Sequence, residues 1–252
     1  MYFPKEVEFF IKDMKCVKDN EGKSKADIYK FVDGEKIYYL KVEKRNDESI
    51  REHEMYHWLK EKVPVPKVIC ECFEDGMDYI LLEKADGIML ESECYVKNPE
   101  QLVRLAAEGL NILWKTPISK CPFNASIESK LKKVKEKIDN GMKICVDKNI
   151  YTDGFNNEKD VYEYLVSNMP KEDKVLVHGD YCFNNYFAQN NKISGFIDMG
   201  RGGIGDRYQD IALCVRELMN YEKCYTELLF HYLNIKPDYE KIRYYILLDE
   251  LF

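Results

Sequence analysis

The tightest constraint on this chain lies in residues 174–210, KVLVHGDYCFNNYFAQNNKISGFIDMGRGGIGDRYQD, where an acid, an amide and a second acid are spaced along a strand–loop–strand pattern. The apolar run Val175–Val177 feeds His178-Gly179-Asp180. Asn185 follows five positions after the aspartate, and Asp198 stands thirteen beyond Asn185. A second run, Ile193–Ile197, ends at Asp198. Short apolar runs bounded by turn formers predict two strands. One loop therefore presents Asp180 and Asn185, and the next strand end presents Asp198. A lone Asp and Asn in a loop are ordinarily turn formers that bond their own backbone. That reading does not account for the two strands, the terminal Ile-Asp and the Gly-rich turn taken together.

Phosphoryl transfer calls for these parts: a carboxylate to orient a hydroxyl nucleophile and accept its proton, and oxygen ligands for Mg²⁺ on the ATP phosphates. Protein kinases space the Asp and Asn of their catalytic loop in the same way, with a metal-binding Asp on a following loop. The stretch HGDxxxxN followed by FIDxGRxGxxDRYQDIA resembles the aminoglycoside phosphotransferases, in particular the 3′-hydroxyl kinases of kanamycin and neomycin. The resemblance continues in EGxSxAxIYK near the start, YYLK at 38–41, WLKEKVPVPKV at 58–68, EKADG at 83–87 and the ending IKPDYEKIRYYILLDELF. Residues from about 125 to 160 match poorly.

Composition sets outer bounds. A chain of 252 residues buries a substantial core in one domain or two modest lobes. No apolar run approaches the roughly 20 residues of a membrane span, and MYFPKEVEFF lacks the basic start of a signal peptide. Nine cysteines without paired spacing fit a reducing, cytoplasmic setting. A net charge of −7 argues against nucleic-acid binding and suits a polycationic substrate.

Hydrophobic periodicity predicts a helix at 5–12, strands at 14–17, 26–31 and 36–42, and a hairpin turn at Asp33-Gly34. A helix capped by Asp47 or Ser49 runs to about Glu61, where Pro64 and Pro66 forbid continuation. Two strands follow, near 67–72 and 78–83. Helices then dominate, at about 98–115, 126–138, 158–168, 207–220, 222–233 and 238–251. The fold class is α+β, a bilobal protein-kinase-like fold. Residues 1–85 make a small antiparallel-sheet N-lobe, 86–252 a mainly helical C-lobe, and about 83–87 the hinge. Lys41 ends a strand, and Glu52 shares a helical face with Met55, Tyr56 and Leu59. In kinases a strand lysine held by a helix glutamate grips the α- and β-phosphates.

The resemblance implies further roles. Asp180 is the catalytic base, and Asn185 and Asp198 hold Mg²⁺. Ser24 belongs to the loop over the β-phosphate, Tyr39 stacks on adenine, and Glu83 and Ala85 read its edge through backbone groups. Arg201, Asp206, Asp210 and Arg216 match structural ion pairs, while His178 buttresses the loop. The antibiotic is held by Glu250 and by the carboxylate of Phe252. An acidic loop that closes over the drug is shorter here and offers Asp147 and Asp153. An acid expected after Arg216 is lost to a short deletion near Asn220-Tyr221.

Four other patterns point elsewhere. His53-Glu54-Met55-Tyr56-His57 satisfies HExxH, but a zinc site needs a third ligand, and beside the kinase constellation it reads as a solvated helix face. Gly200–Gly205 satisfies GxGxxG, yet the residues that follow read as helices rather than βαβ units, so the glycines serve a tight bend. Gly22-Lys23-Ser24 lacks the earlier glycine of a P-loop. Cys70 and Cys72 are strand residues. The expectation is an ATP- and Mg²⁺-dependent aminoglycoside kinase, a monomer or weak dimer with no membrane or nucleic-acid partner. Two alternatives stay open: a kinase for choline, a sugar or a macrolide, and a nucleotide-binding pseudoenzyme.

Overall fold

The strands expected in the first ninety residues form one antiparallel sheet of order β1-β2-β3-β5-β4, and most of the remaining elements are helices. The computed structural model describes residues 2–19, 26–142, 144 and 151–252. In chain order these are α1 (Lys5–Ile11), β1 (Lys15–Asp19), β2 (Asp27–Asp33), β3 (Lys36–Lys44), α2 (Asp47–Leu59), β4 (Val68–Glu74), β5 (Met77–Glu83) and β6 (Ile88–Met89). There follow α3 (Glu93–Val96), α4 (Pro99–Lys115), α5 (Ile127–Asp139), α6 (Glu158–Ser167), β7 (Lys174–Val177), β8 (Tyr186–Gln189) and β9 (Lys192–Phe196). A 3₁₀ turn (Met199–Arg201), β10 (Gly203–Asp206), α7 (Tyr208–Leu218), α8 (Lys223–Leu233) and α9 (Tyr239–Asp249) complete it. The antiparallel sheet and the helix-rich remainder agree with the expected α+β class. The long elements end within about two residues of their sequence-based bounds, the usual uncertainty of helix and strand ends.

One compact unit comprises Met1–Ile88 and Tyr186–Arg201. Its hairpins close with the turn chemistry that two-residue connections demand. Asp75-Gly76 joins β4 to β5 with φ of 51° and 79°, and Asn190-Asn191 joins β8 to β9 with φ of 50° and 62°. Positive φ at both central positions matches the right-handed twist of the strands, and Asp, Asn and Gly tolerate it best. The β2–β3 hairpin pairs Asp33 with Lys36, so the turn is Gly34-Glu35, one residue later than expected. The sheet buries Phe31, Leu40, Val42 and Leu81 against Phe3, Val7 and Ile11 at the start of the chain.

The cap of α2 is Asn46, not Asp47 or Ser49. Asn46 accepts hydrogen bonds from the N–H groups of Glu48 and Ser49, and the Ser49 hydroxyl accepts from the Asn46 N–H, a reciprocal capping box. Losing such a cap costs about 1 kcal/mol. Asn46→Ala should therefore lower Tm by roughly 2–4 °C in calorimetry; an unchanged Tm would remove the cap from the account.

Residues 186–201 complete this first unit. Phe196 N–H donates to Pro64 O, Asp198 N–H to the Tyr56 hydroxyl, and Arg51 Nε to Gly200 O. Gly200 is required where the chain crosses α2, because a Cβ there would lie 2.7 Å from Glu48 O. Gly87 meets the same limit with φ of 89°, its absent Cβ falling 2.3 Å from Ala188 O. Glycine alone tolerates such approaches.

The other unit comprises Met89–Asn185 and Gly202–Phe252. Its centre is α4, whose Leu102, Leu105, Ala106, Leu110 and Leu113 are fully buried at i, i+3 and i+4 spacing. Helices α7 and α9 pack together, burying Ile211, Leu213, Ile242 and Ile246. A short ladder pairs Val177 of β7 with Gly203 of β10, anchoring the loop that begins at His178. Among the described residues no helix is long and apolar enough to cross a membrane.

Candidate active site

Each unit carries one polar constellation, and each is built from residues far apart in the chain. In the first, β3 presents Lys41 because the strand alternation leaves Leu40 and Val42 in the core and turns position 41 to the other face. Helix α2 buries Glu52, Met55, Tyr56 and Leu59 on one stripe, so Glu52 is carried under the sheet with its apolar neighbours. Lys41 Nζ lies 2.7 Å from Glu52 Oε2 and 2.9 Å from Asp198 Oδ1, with Glu43 Oε1 at 3.4 Å. Glu43 was not foreseen. It stands two residues along the same strand face, and only that alternation could have pointed to it.

Three carboxylates against one ammonium leave this cluster net negative. Burial pulls the Lys41 ammonium down, but Glu52, Asp198 and Glu43 outweigh it and hold lysine well above its ordinary value. Burial pushes Glu52 up, Lys41 offsetting it only in part while Asp198 adds to it. Glu52 is 2% exposed, and its Oε1 has no hydrogen-bond partner among the described residues. Such a buried pair contributes little net stability, since desolvation offsets attraction; what it supplies here is a fixed position for Nζ. Asp198 sits at φ 56°, a left-handed conformation uncommon outside glycine, while its side chain remains 41% exposed. A partly exposed carboxylate in a net-negative cluster is the kind of donor a hard divalent cation takes.

In the second unit the loop after β7 carries Asp180 and Asn185. Buried Asp210, on α7, accepts hydrogen bonds from the N–H groups of His178 at 2.7 Å and Gly179 at 2.9 Å. Burial pushes the Asp210 carboxyl up, and His178 with the two amides opposes the shift. His178 is fully buried and accepts from the Asp180 N–H at its Nδ1, which makes it a strut of the loop. The Tyr181 hydroxyl donates to Ala106 O at 2.8 Å, tying the loop to α4. Asn185 Nδ2 donates to Asp180 O and Oδ2 at 2.9 and 3.1 Å, and Cys182 Sγ lies 3.3 Å from Asp180 Oδ1. The Asn185 nitrogen is thereby held twice by Asp180. Cys182 had no signal in the sequence beyond its place between the two functional positions.

Of the residues read as structural ion pairs, Arg201 binds Glu48, Asp206 binds Lys241 and Arg216 binds Asp249. Asp210 instead caps backbone amides. Tyr39 is half-buried on β3 with Lys30 Nζ 6.0 Å from its ring centre. The Glu83 N–H is committed to Lys67 O, and Ala85 is buried. Ser24 and Asp147 lie outside the described residues. Asp153 is exposed, while Glu250 is half-buried and its charge acts on Arg216. Phe252 meets the protein's own cations: its carbonyl oxygen accepts from Lys137 Nζ at 3.0 Å, and Lys130 and Lys137 each stand 4.9 Å from its ring. Glu217 was overlooked; its negative charge reaches Cys182 beside Asp180.

Of the HExxH positions, Glu54 and His57 are exposed as expected, the His57 side chain by 56%, and His53 is not. His53 and His57 both turn to Glu71 of β4, at 3.7 and 3.0 Å, and the His53 side chain is 16% exposed. Burial lowers the His53 pKa. Among the described residues no three His, Cys, Asp or Glu side chains converge to hold a metal. None of the eight described cysteines forms a disulfide with another described residue.

Comparison with known proteins gives these arrangements a setting. The model of the APH family, described as a phosphotransferase enzyme family, matches residues 17–245. An aminoglycoside 3′-phosphotransferase of Enterococcus faecalis is 38% identical, over 98% of this chain and 97% of its own length. One of Staphylococcus aureus is 37% identical over the same shares. Among solved structures, a type VIII aminoglycoside-3′-phosphotransferase superposes with a TM-score of 0.82 at 23% identity, over 95% of this chain and 94% of its own. A Streptomyces rimosus aminoglycoside phosphotransferase in complex with ADP and streptomycin does so with a TM-score of 0.74 at 19% identity, over 92% and 94%. Likeness at that identity shows the fold, while the family match and the closer relatives span nearly the whole sequence. The chain belongs to the APH phosphotransferase enzyme family.

Proposed function

We propose that this enzyme transfers the γ-phosphoryl group of ATP to a hydroxyl of an aminoglycoside antibiotic, the 3′-hydroxyl, and thereby confers resistance. The observation that carries the reading is the meeting of Lys41, Glu52 and Asp198, the first and last 157 residues apart in sequence. A lysine fixed by a buried glutamate next to an exposed aspartate is the equipment for the phosphates of a nucleotide and their metal. The acceptor follows from the relatives, which are named as aminoglycoside 3′-phosphotransferases. The net charge of −7 suits a cationic acceptor and opposes nucleic acid.

In this reading residues 1–85 bind nucleotide, 86–252 supply the catalytic loop and the acceptor contacts, and 83–87 form the hinge. Ser24 covers the β-phosphate, Tyr39 stacks on adenine, and Glu83 and Ala85 read its edge through their backbone. Asp198 and the amide oxygen of Asn185 hold Mg²⁺, which when bound offsets charge on the phosphate oxygens. Lys41 grips the α- and β-phosphates, and Glu52 keeps its ammonium in place. Asp180 accepts a hydrogen bond from the attacking hydroxyl. Because the transition state is loose, the carboxylate aims the nucleophile more than it strips its proton early. Asp147, Asp153, Glu250 and the Phe252 carboxylate, with Glu217 added from the structure, hold protonated amines through charge-assisted hydrogen bonds. The enzyme works in the cytoplasm as a monomer or weak dimer.

A coupled ADP-release assay tests this directly. Kanamycin and neomycin should give saturable, Mg²⁺-dependent turnover, and choline and a macrolide should give none. Turnover of choline or a macrolide alone would transfer the enzyme to another acceptor class.

A further inference from the structure

We infer that Cys182 is a positioning residue for Asp180, its thiol donating the hydrogen bond that fixes the rotation of the carboxylate toward the acceptor hydroxyl. The inference rests on the phosphotransferase reading above. The terminal torsion of an aspartate is broad and nearly two-fold, so packing at the Cβ does not by itself set the plane of the carboxylate. Two donors at opposite oxygens do. Asn185 Nδ2 takes Oδ2 at 3.1 Å, and Cys182 Sγ takes Oδ1 at 3.3 Å. Remove either, and the plane is free to swing about the contact that remains.

The thiol is placed by the same turn that carries the acid and the amide. Cys182 N–H donates to Asp180 O at 2.9 Å, and Asn185 N–H donates to Cys182 O at 2.9 Å. Cys182 is therefore held at its backbone on both sides, and its Sγ has little choice of direction. A carboxylate oxygen only accepts, so at 3.3 Å from Asp180 Oδ1 the thiol is the donor of the pair. A thiol is a weak donor, and this suits the task. It orients the carboxylate while withdrawing less electron density than a hydroxyl or ammonium would. A carboxylate offers about four lone-pair sites over its two oxygens, so both donors leave room for the incoming hydroxyl.

The test compares Cys182→Ala with Cys182→Ser, whose side chains are nearly equal in size and differ in the donor. With saturating MgATP and kanamycin, Ala should lower kcat about tenfold, the scale on which loss of orientation acts, with KM for ATP within about twofold of wild type. Ser should return kcat to within about threefold of wild type. Equal kcat for Ala and wild type, or a Ser variant as slow as Ala, would overturn the inference. Crystal structures give a readout independent of turnover. Asp180 should hold one carboxylate orientation in the wild-type and Ser proteins and a rotated or split one in Ala. An unmoved Asp180 in the Ala variant would also overturn it. A wild-type protein that turned over no aminoglycoside would count against the proposed substrate instead, and the crystallographic comparison would still decide the role of Cys182.

Discussion

Asp180→Ala should lower kcat for aminoglycoside phosphorylation by about 10³- to 10⁴-fold, the upper range for loss of a general base together with its orienting role, and leave MgATP affinity within about twofold. The split follows from where Asp180 stands. Its carboxylate is engaged with Asn185 and Cys182 in the second unit, whereas Lys41, Glu52 and Asp198 belong to the first. Removing the acid takes away the acceptor for the attacking hydroxyl and touches no group assigned to adenine. The loop should survive the substitution, because its backbone is held by Asp210 and Tyr181. Isothermal titration with MgATP and a single-turnover assay with kanamycin would report the two quantities separately. Turnover within tenfold of wild type would remove Asp180 from its role, and a parallel collapse of nucleotide affinity would show that the substitution had damaged more than the loop.

The second large effect belongs to Asp198, where the choice of substitution matters. At φ 56°, alanine would be strained by roughly 1–2 kcal/mol, whereas asparagine tolerates the left-handed region. Asp198→Asn therefore removes the charge and keeps the shape. Its kcat/KM should fall about 10³-fold, since metal neutralisation of phosphate charge is worth several kcal/mol and each 1.36 kcal/mol is a factor of ten. The Mg²⁺ dependence of ATP binding should flatten, with affinity in Mg²⁺ falling toward that in EDTA. Lys41 keeps Glu52 and Glu43 as partners, so the fold should hold. The loss of Asp198's charge also removes one of the causes that push Glu52 up. A variant that binds MgATP with wild-type affinity and full metal dependence would take the ligand role from Asp198.

Much of this protein is written in local pattern. The two-fold alternation of β3, the buried stripe of α2 and α4, and the run Val175–Val177 before His178-Gly179-Asp180 each express a backbone periodicity that needs no tertiary knowledge. The spacing of Asp180 and Asn185 is likewise a property of one loop, and the structure shows them joined by a hydrogen bond. What the local pattern could not contain was pairing at long range. Nothing near Asp198 says that residues 186–201 will join the first unit, or that Lys41 will meet its carboxylate. That depends on Phe196 finding Pro64, and Asp198 finding the Tyr56 hydroxyl.

The same division explains the misreadings. Asn46, rather than Asp47 or Ser49, caps α2 because the cap residue is set by where the chain leaves β3, and all three side chains satisfy the local rule. His53 reads as solvated in sequence because its partner, Glu71, lies on a strand that only the folded sheet brings beside α2. Sequence alone determined where the long helices and the strands of the first sheet form and which loop carries the acid and the amide, because hydrogen-bond periodicity and turn sterics act over a few residues. Tertiary structure decided which carboxylates surround Lys41, because side chains distant in sequence meet only when burial of the apolar faces draws their elements together.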